Sequence, residues 1–215
     1  MRRKIVAGLL CVSVLAAFAG CSDKVEETTA SSITEATTTE ATTEETTEAT
    51  TEATTESRAI DYTDLLSGFD TFELTSSDVT DGVWSDVISN TDAGENKSPA
   101  LSWEPVEGAS LYVVYMVDRD ASFWLHWKAN DVTETELPQG WATENYVGPY
   151  PPSGAEHTYD IYVIALKAPL EDLKGMFDGS NAYFPAAIMK TDTDAEGNSG
   201  NIIAYGQVSG TFTGK

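Results

Sequence analysis

Apolar residues in the later part of this chain recur in short runs broken by clusters of Gly, Pro, Asn and Asp, the pattern of a protein built from strands. Leu111 to Val117 (Leu-Tyr-Val-Val-Tyr-Met-Val) is β-branched and aromatic with no polar face, which predicts a central strand covered on both sides. Thr158 to Leu166 is apolar on both faces too, and Phe123 to Ala129 is aromatic-rich and predicts the strand that comes after Leu111–Val117. Phe72-Glu73-Leu74-Thr75 alternates with period two, as half-buried strands do. Ile202 to Phe212 predicts a closing strand pair. Only Pro169 to Phe177 reads as a helix, with Pro169 at its start, Glu171 and Asp172 in the first turn and Gly179 beyond its end. Many short strands with one or two short helices predict a mainly β fold, an antiparallel sandwich.

The earlier residues obey different patterns. Met1-Arg2-Arg3-Lys4 precedes an apolar run from Ile5 to Phe18, and Ala19-Gly20-Cys21 comes next. A basic start, a short apolar core and small residues before a cleavage point make a secretory signal. The run is too short for a membrane-spanning helix, which needs about 20 apolar residues. Phe18-Ala19-Gly20-Cys21 resembles the lipobox of bacterial lipoproteins, although an aliphatic residue is usual where Phe18 stands. That resemblance implies lipidation of Cys21, a membrane anchor, and a place in the cell envelope. The protein would sit on the outer face of the cytoplasmic membrane, or on its periplasmic side where there are two membranes. From Ser22 to Ser57 the chain is nearly all Thr, Glu, Ala and Ser, with repeats such as Glu48-Ala49-Thr50-Thr51-Glu52. Such a segment has too little apolar surface to offset its ordering entropy and is expected to be a disordered spacer. All 5 Trp, all 9 Tyr and six of the 7 Phe lie beyond Arg58. The expected organisation is therefore a signal over 1–20, a lipidated cysteine and linker over 21–57, and one domain over 58–215.

Charge and cysteine content narrow the chemistry. The formal net charge is −23, and loss of Arg2, Arg3 and Lys4 with the signal takes it to −26. No basic cluster remains, so nucleic acid is not an expected partner. The 2 cysteines are Cys11, inside the signal, and Cys21. The domain then has no thiol for a disulfide, a thiolate metal site or a cysteine nucleophile. No metal or other cofactor is expected.

Candidate chemistry gathers around the 2 histidines, His126 and His157. The Leu111–Val117 strand runs into Asp118-Arg119-Asp120-Ala121-Ser122, and a short connection leads to the strand carrying His126. A tight turn between adjacent antiparallel strands places Asp118 or Asp120 near His126. His157 lies just after a Pro-rich loop and opens the strand through Tyr159. The two histidines share one rim only if their strands are neighbours. Spacing alone equally allows packed core histidines, ordinary turn aspartates and a stiff connecting loop.

Five segments in order carry a family resemblance: Ser98-Pro99-Ala100-Leu101-Ser102-Trp103, Asp118-Arg119-Asp120-Ala121, His126-Trp127, Leu137-Pro138-Gln139-Gly140, and Gly148-Pro149-Tyr150-Pro151-Pro152-Ser153-Gly154-Ala155-Glu156-His157-Thr158-Tyr159. From about Phe72 to Gly210-Thr211-Phe212 the chain resembles the phosphatidylethanolamine-binding protein family, in its bacterial Raf-kinase-inhibitor-like branch. The resemblance implies a Greek-key β-sandwich with a small anion pocket at one rim, for phosphate or phosphorylated head groups. By the same resemblance Asp118 and Asp120 match the acidic residues of a D-P-D-x-P motif, and His126 matches the pocket histidine. Gly148, Pro151 and Pro152 match a G-x-x-P-P loop, and His157 and Tyr159 match a G-x-H-R-Y segment. Arg119 and Ser122 stand where the family has prolines, and Thr158 where it has an arginine. The last change removes a positive charge, which Arg119 would partly replace if it faced the pocket.

The function implied is a tethered, non-catalytic module binding a small anionic ligand or phospholipid head group. A protein-interaction or inhibitory role through the aromatics of the Trp141–Tyr150 region is the alternative. A hydrolase ranks below both, because the chain has no G-x-S-x-G elbow, no H-E-x-x-H helix and no Gly-rich phosphate loop. Trp124, Trp141 and Tyr146 also fit a glycan-binding sandwich, provided their rings are exposed.

Overall fold

The runs without a polar face become the central strands of the main sheet, since only a strand covered on both sides buries every residue. The computed structural model describes residues 66–215. The signal, Cys21 and the linker through Ser57 lie outside the described residues, as do Arg58 to Leu65 of the expected domain. The strands are β1 (Asp70–Thr71), β2 (Leu74–Thr75), β3 (Val79–Thr80), β4 (Val83–Trp84), β5 (Leu101–Trp103), β6 (Leu111–Asp118), β7 (Trp124–Val132), β8 (Glu136–Leu137), β9 (Glu156–Leu166) and β10 (Ile202–Thr213). The main sheet has the order β3-β4-β10-β9-β6-β7, with β1 also on β10, and a small sheet has the order β2-β5-β8. All eight residues of β6 are buried.

Alternate residues of β6 and β9 feed two cores. On one face Val113, Tyr115, Val117, Tyr162 and Ile164 pack under Leu66, Leu170, Leu173, Phe184 and Ile188. On the other, Tyr112, Val114, Met116, Ile161 and Val163 pack under the small sheet through Leu74, Leu101, Trp103 and Leu137. Fully burying each large apolar side chain contributes about 1.5–3 kcal/mol, so these two strands anchor the fold.

The mainly β expectation holds, with three differences in detail. The long strands pair antiparallel, but the short β1 and β4 run parallel to β10, one along each half of its outer edge. The expected closing pair is one strand, because Gly206 and Gly210 do not turn the chain. A Cβ on Gly206 would lie 2.6 Å from Phe72, and one on Gly210 would lie 2.8 Å from Trp84 Nε1. Both glycines are there so that aromatic rings can cross the strand. Finally, Pro169 to Phe177 is not helical; the helix is α1, Phe184–Met189. The carbonyls a helix would need are taken by the sheet: Tyr115 Oη donates to Lys174 O, and Lys128 Nζ donates to Leu173 O and Gly175 O. Asp178 N donates to Leu125 O and Leu125 N to Gly179 O, so the segment runs along the edge of β7 instead.

Two irregularities in β7 set where its side chains face. Met116 pairs with Trp127 while Val117 pairs with Leu125, which leaves His126 as an extra residue. Tyr112 pairs with Val132 and Val114 with Ala129, so Asn130 and Asp131 together oppose Val113. A bulge rotates the strand and re-aims the side chains beyond it. Leu125 therefore enters one core and Trp127 the other, although they are two residues apart.

Overpacking at Gly210 is testable. Gly210→Ala must displace the buried Trp84 indole, which donates to Tyr159 O at 3.1 Å. The expected loss is about 1–3 kcal/mol, read as a lower urea midpoint at unchanged slope. An unchanged midpoint would show that Trp84 is not fixed there.

Candidate functional site

The register of the central strands brings the sequence-distant candidates to one rim. Asp118 pairs with Tyr159 across β6 and β9, and with Trp124 across β6 and β7. Asp118, His157 and Tyr159 all lie on the face that carries the small sheet, and the bulge turns the His126 ring onto Tyr159, edge to face at 5.1 Å. The loop from Val147 to Pro152 closes the rim. A cavity of about 460 Å³ results, lined by Asp118, His126, Gly148, Pro151, Pro152, His157 and Tyr159 together with Asn90, Ala121, Trp124, Val147, Tyr150 and Asp178.

Each polar group is held by a specific bond. The Asp118 carboxylate is 3% exposed. Its Oδ1 accepts from Asp120 N at 2.9 Å and Ala121 N at 3.0 Å, and its Oδ2 meets His157 Nδ1 at 2.7 Å. One carboxylate thus ties the β6–β7 turn to the start of β9. His126 Nδ1 lies 2.7 Å from Val147 O, so that nitrogen carries the proton, and Val147 N returns a bond to His126 O. Both rings are oriented through Nδ1. Burial lowers the His126 pKa below its ordinary value, against the opposing pull of the Val147 carbonyl and the Asp118 charge. Burial, and then the Asp118 charge, pushes the Tyr159 phenol well above its ordinary range, so its hydroxyl keeps its proton.

Gly148 is required by its surroundings. A Cβ there would lie 1.9 Å from Ile88 O, while Gly148 N donates to Asn96 Oδ1 at 2.7 Å. Asn90 N donates to Pro149 O, which fixes the loop against the segment after the 3-10 turn Asp86–Ile88.

Asp120 does not line the cavity. It is exposed, and its Oδ2 accepts from Thr158 N at 2.7 Å, latching the turn to β9. Arg119 does not supply the pocket with charge either. It obeys the alternation of β6 and lies on the opposite face, where Nε donates to Asp160 Oδ2 at 2.9 Å. Six lining residues are not among the sequence candidates. Trp124 and Tyr150 were legible, one beside His126 and the other inside the Pro-rich loop. Asn90 and Asp178 arrive from distant segments whose approach no local pattern encodes.

The sequence profile described as phosphatidylethanolamine-binding protein matches residues 75–212. The chain belongs to that family. Two crystal structures share the fold of this family member. One is Escherichia coli YbcL, described as a new member of the mammalian PEBP family, at 24% identity and a TM-score of 0.50, covering 67% of this chain and 99% of YbcL. The other is a putative phosphatidylethanolamine-binding protein homologue from Chlamydia trachomatis, at 24% identity and a TM-score of 0.51, covering 68% of this chain and 99% of the homologue. Among curated proteins no sequence matches.

Because the folded protein lowers the His126 pKa, it binds fewer protons there than the unfolded chain does. Stability therefore falls as pH drops below the unfolded value near 6.5. In His126→Gln this component of the pH dependence is expected to vanish, while acid loss from carboxylates remains. An NMR titration of His126 with a midpoint above the unfolded value would contradict the burial argument.

Proposed function

We propose that this protein is a lipid-anchored envelope module whose rim cavity binds phosphate-type anions or phospholipid head groups without chemical turnover. The observation that carries the reading is the convergence of His126, His157 and Tyr159 on one cavity, His126 held by the Val147 carbonyl and His157 and Tyr159 both held by Asp118. A protonated imidazole presents an Nε2–H donor to a phosphoryl oxygen, while the Tyr159 hydroxyl, bonded to Asp118, fixes that carboxylate beside the cavity. With Nδ1 engaged, a neutral histidine offers only a lone pair at Nε2. Anion binding on this reading takes up protons, and affinity falls as pH rises through the histidine range.

The His157–Asp118 pair also has the layout of an oriented general base, which favours hydrolysis as a second reading. Against it, the lining contains no Ser, Thr or Cys nucleophile. Tyr159 holds its proton too tightly to replace one. Hydrolysis here would have to proceed by direct attack of a water activated by His157, with no covalent intermediate on a side chain.

Titration with inorganic phosphate and with phosphoethanolamine, monitored by thermal shift, tests the reading. Stabilisation should grow with ligand concentration, be larger at pH 5.5 than at pH 8, and weaken about tenfold or more in His157→Ala, as loss of a charge-assisted bond implies. Absence of stabilisation by either ligand at both pH values would overturn it. Turnover of a phosphate ester that disappears in His157→Ala would favour the hydrolase instead. The anchor has its own test. Cys21→Ser should abolish incorporation of labelled fatty acid and release the protein from membranes, and unchanged incorporation would exclude lipidation at Cys21.

A further inference from the structure

The charges that line the rim cavity do not cancel. The lining contains two carboxylates, Asp118 and Asp178, two imidazoles and no lysine or arginine. Both oxygens of Asp118 are engaged, one by two backbone amides and the other by His157. Burial disfavours a proton on His126, and Arg119 is bound to Asp160 on the other face of the sheet. Asp178 remains. Its carboxylate favours a proton on His126, so the two groups lie within electrostatic reach. Among the described residues it has no hydrogen-bond or ion-pair partner of its own.

The backbone fixes Asp178 without requiring its charge. Phe177 bridges to Leu125, the Asp178 amide donates to Leu125 O at 3.0 Å, and Leu125 N donates to Gly179 O at 3.0 Å. Asn181 holds the loop from the other side. Its Nδ2 donates to Met176 O at 2.9 Å and Gly179 O at 2.8 Å, and its amide donates to Ser122 O at 3.0 Å. Asp178 itself is left-handed, with φ 54°, and asparagine tolerates that conformation as aspartate does. Local geometry accounts for a short polar residue here, but not for a carboxylate.

We propose that Asp178 is a specificity-determining residue of the cavity, selecting a phosphate ester that carries an ammonium group over one that does not. The proposal rests on the anion-binding reading and narrows it. A bare phosphate brings further negative charge to a cavity that already holds an unpaired carboxylate, and like charges repel. An ester with a cationic end answers that carboxylate and leaves the imidazoles to the phosphate. Asp178 is exposed while Asp118 and His126 are buried, so the free carboxylate stands at the mouth and the imidazole in the depth. The volume of about 460 Å³ suits a small ligand with two ends rather than a single ion.

Phosphoethanolamine and 2-hydroxyethyl phosphate differ only in the ammonium group, and both should be titrated calorimetrically into the whole protein in detergent at one pH. Phosphoethanolamine should bind about twofold to fivefold more tightly, the gain of an ion pair at an exposed carboxylate. Asp178→Asn should bring the two affinities together. A purely structural change would move both affinities alike, so their ratio reports the charge. Glu156→Gln removes an exposed carboxylate that adjoins His157 in sequence but does not line the cavity, and it should leave the ratio unchanged. Competition by phosphatidylethanolamine vesicles, and not by phosphatidylglycerol vesicles, would assign the ammonium ester to a lipid head group; competition by neither would assign it to a soluble ester. Equal affinities in the unaltered protein, or a difference that survives in Asp178→Asn, would overturn the role of Asp178 and leave the anion-binding reading standing. No binding of either ester would overturn both.

Discussion

One buried carboxylate organises the rim. Asp118 ends a strand with no exposed residue and is itself almost wholly out of water. A charge in that position is tolerable only if its oxygens are fully used. Two backbone amides of the turn and the His157 imidazole use them. The turn cannot open without stranding the carboxylate, and His157 cannot rotate without doing the same. Two successive non-glycine residues, Ser122 and Phe123, hold a positive φ of 53° in that turn. Strain of this kind, of order 1–3 kcal/mol per residue, persists only where the surroundings over-determine it. The Asp118 bonds and the Asp120 latch to Thr158 N supply that constraint.

The same strand alternation that gathers the site also keeps a cation out of it. Asp118 and Arg119 are consecutive, so they address opposite faces of the sheet. Arg119 neutralises Asp160, which is 1% exposed and sits under the first core. Its guanidinium cannot reach the cavity without leaving that carboxylate buried and unpaired, which is costly. With Thr158 in place of the arginine that the family resemblance implies, the cavity lining contains no lysine or arginine.

Burial on two faces leaves little room for polar residues, Asp160 being the exception, which is why Leu111–Val117 and Thr158–Leu166 were readable from sequence as central strands. The five spaced motifs then placed seven of the eight proposed residues around one cavity. Asp120 escaped because a turn aspartate that lines a cavity and one that caps a neighbouring strand look alike in sequence. The Pro169–Phe177 helix failed for a non-local reason. Its local preferences are helical, but Tyr115 and Lys128, both on the sheet, capture its carbonyls. The glycines of β10 misled in the opposite sense, since Gly206 and Gly210 punctuate a sequence yet serve as flat places for Phe72 and Trp84 to cross. Asn90 and Asp178 were illegible because tertiary packing alone brings them to the rim.

β7 shows how one strand can support two different kinds of surface. Each bulge admits one extra residue, and each coincides with a cavity: His126 at the rim, Asn130 with Asp131 at a crevice farther along the strand. A regular β7 would keep Leu125 and Trp127 on the same face, and one of the two cores would lose its contribution. The register shift at His126 is thus a packing requirement before it is a functional one. The core cannot be completed from this strand without turning the imidazole toward Tyr159. That coupling explains why substitutions around His126 should be felt in stability as well as in binding. The second bulge has a like effect: it puts Ala129 and the buried Val132, three residues apart, on the face of the second core.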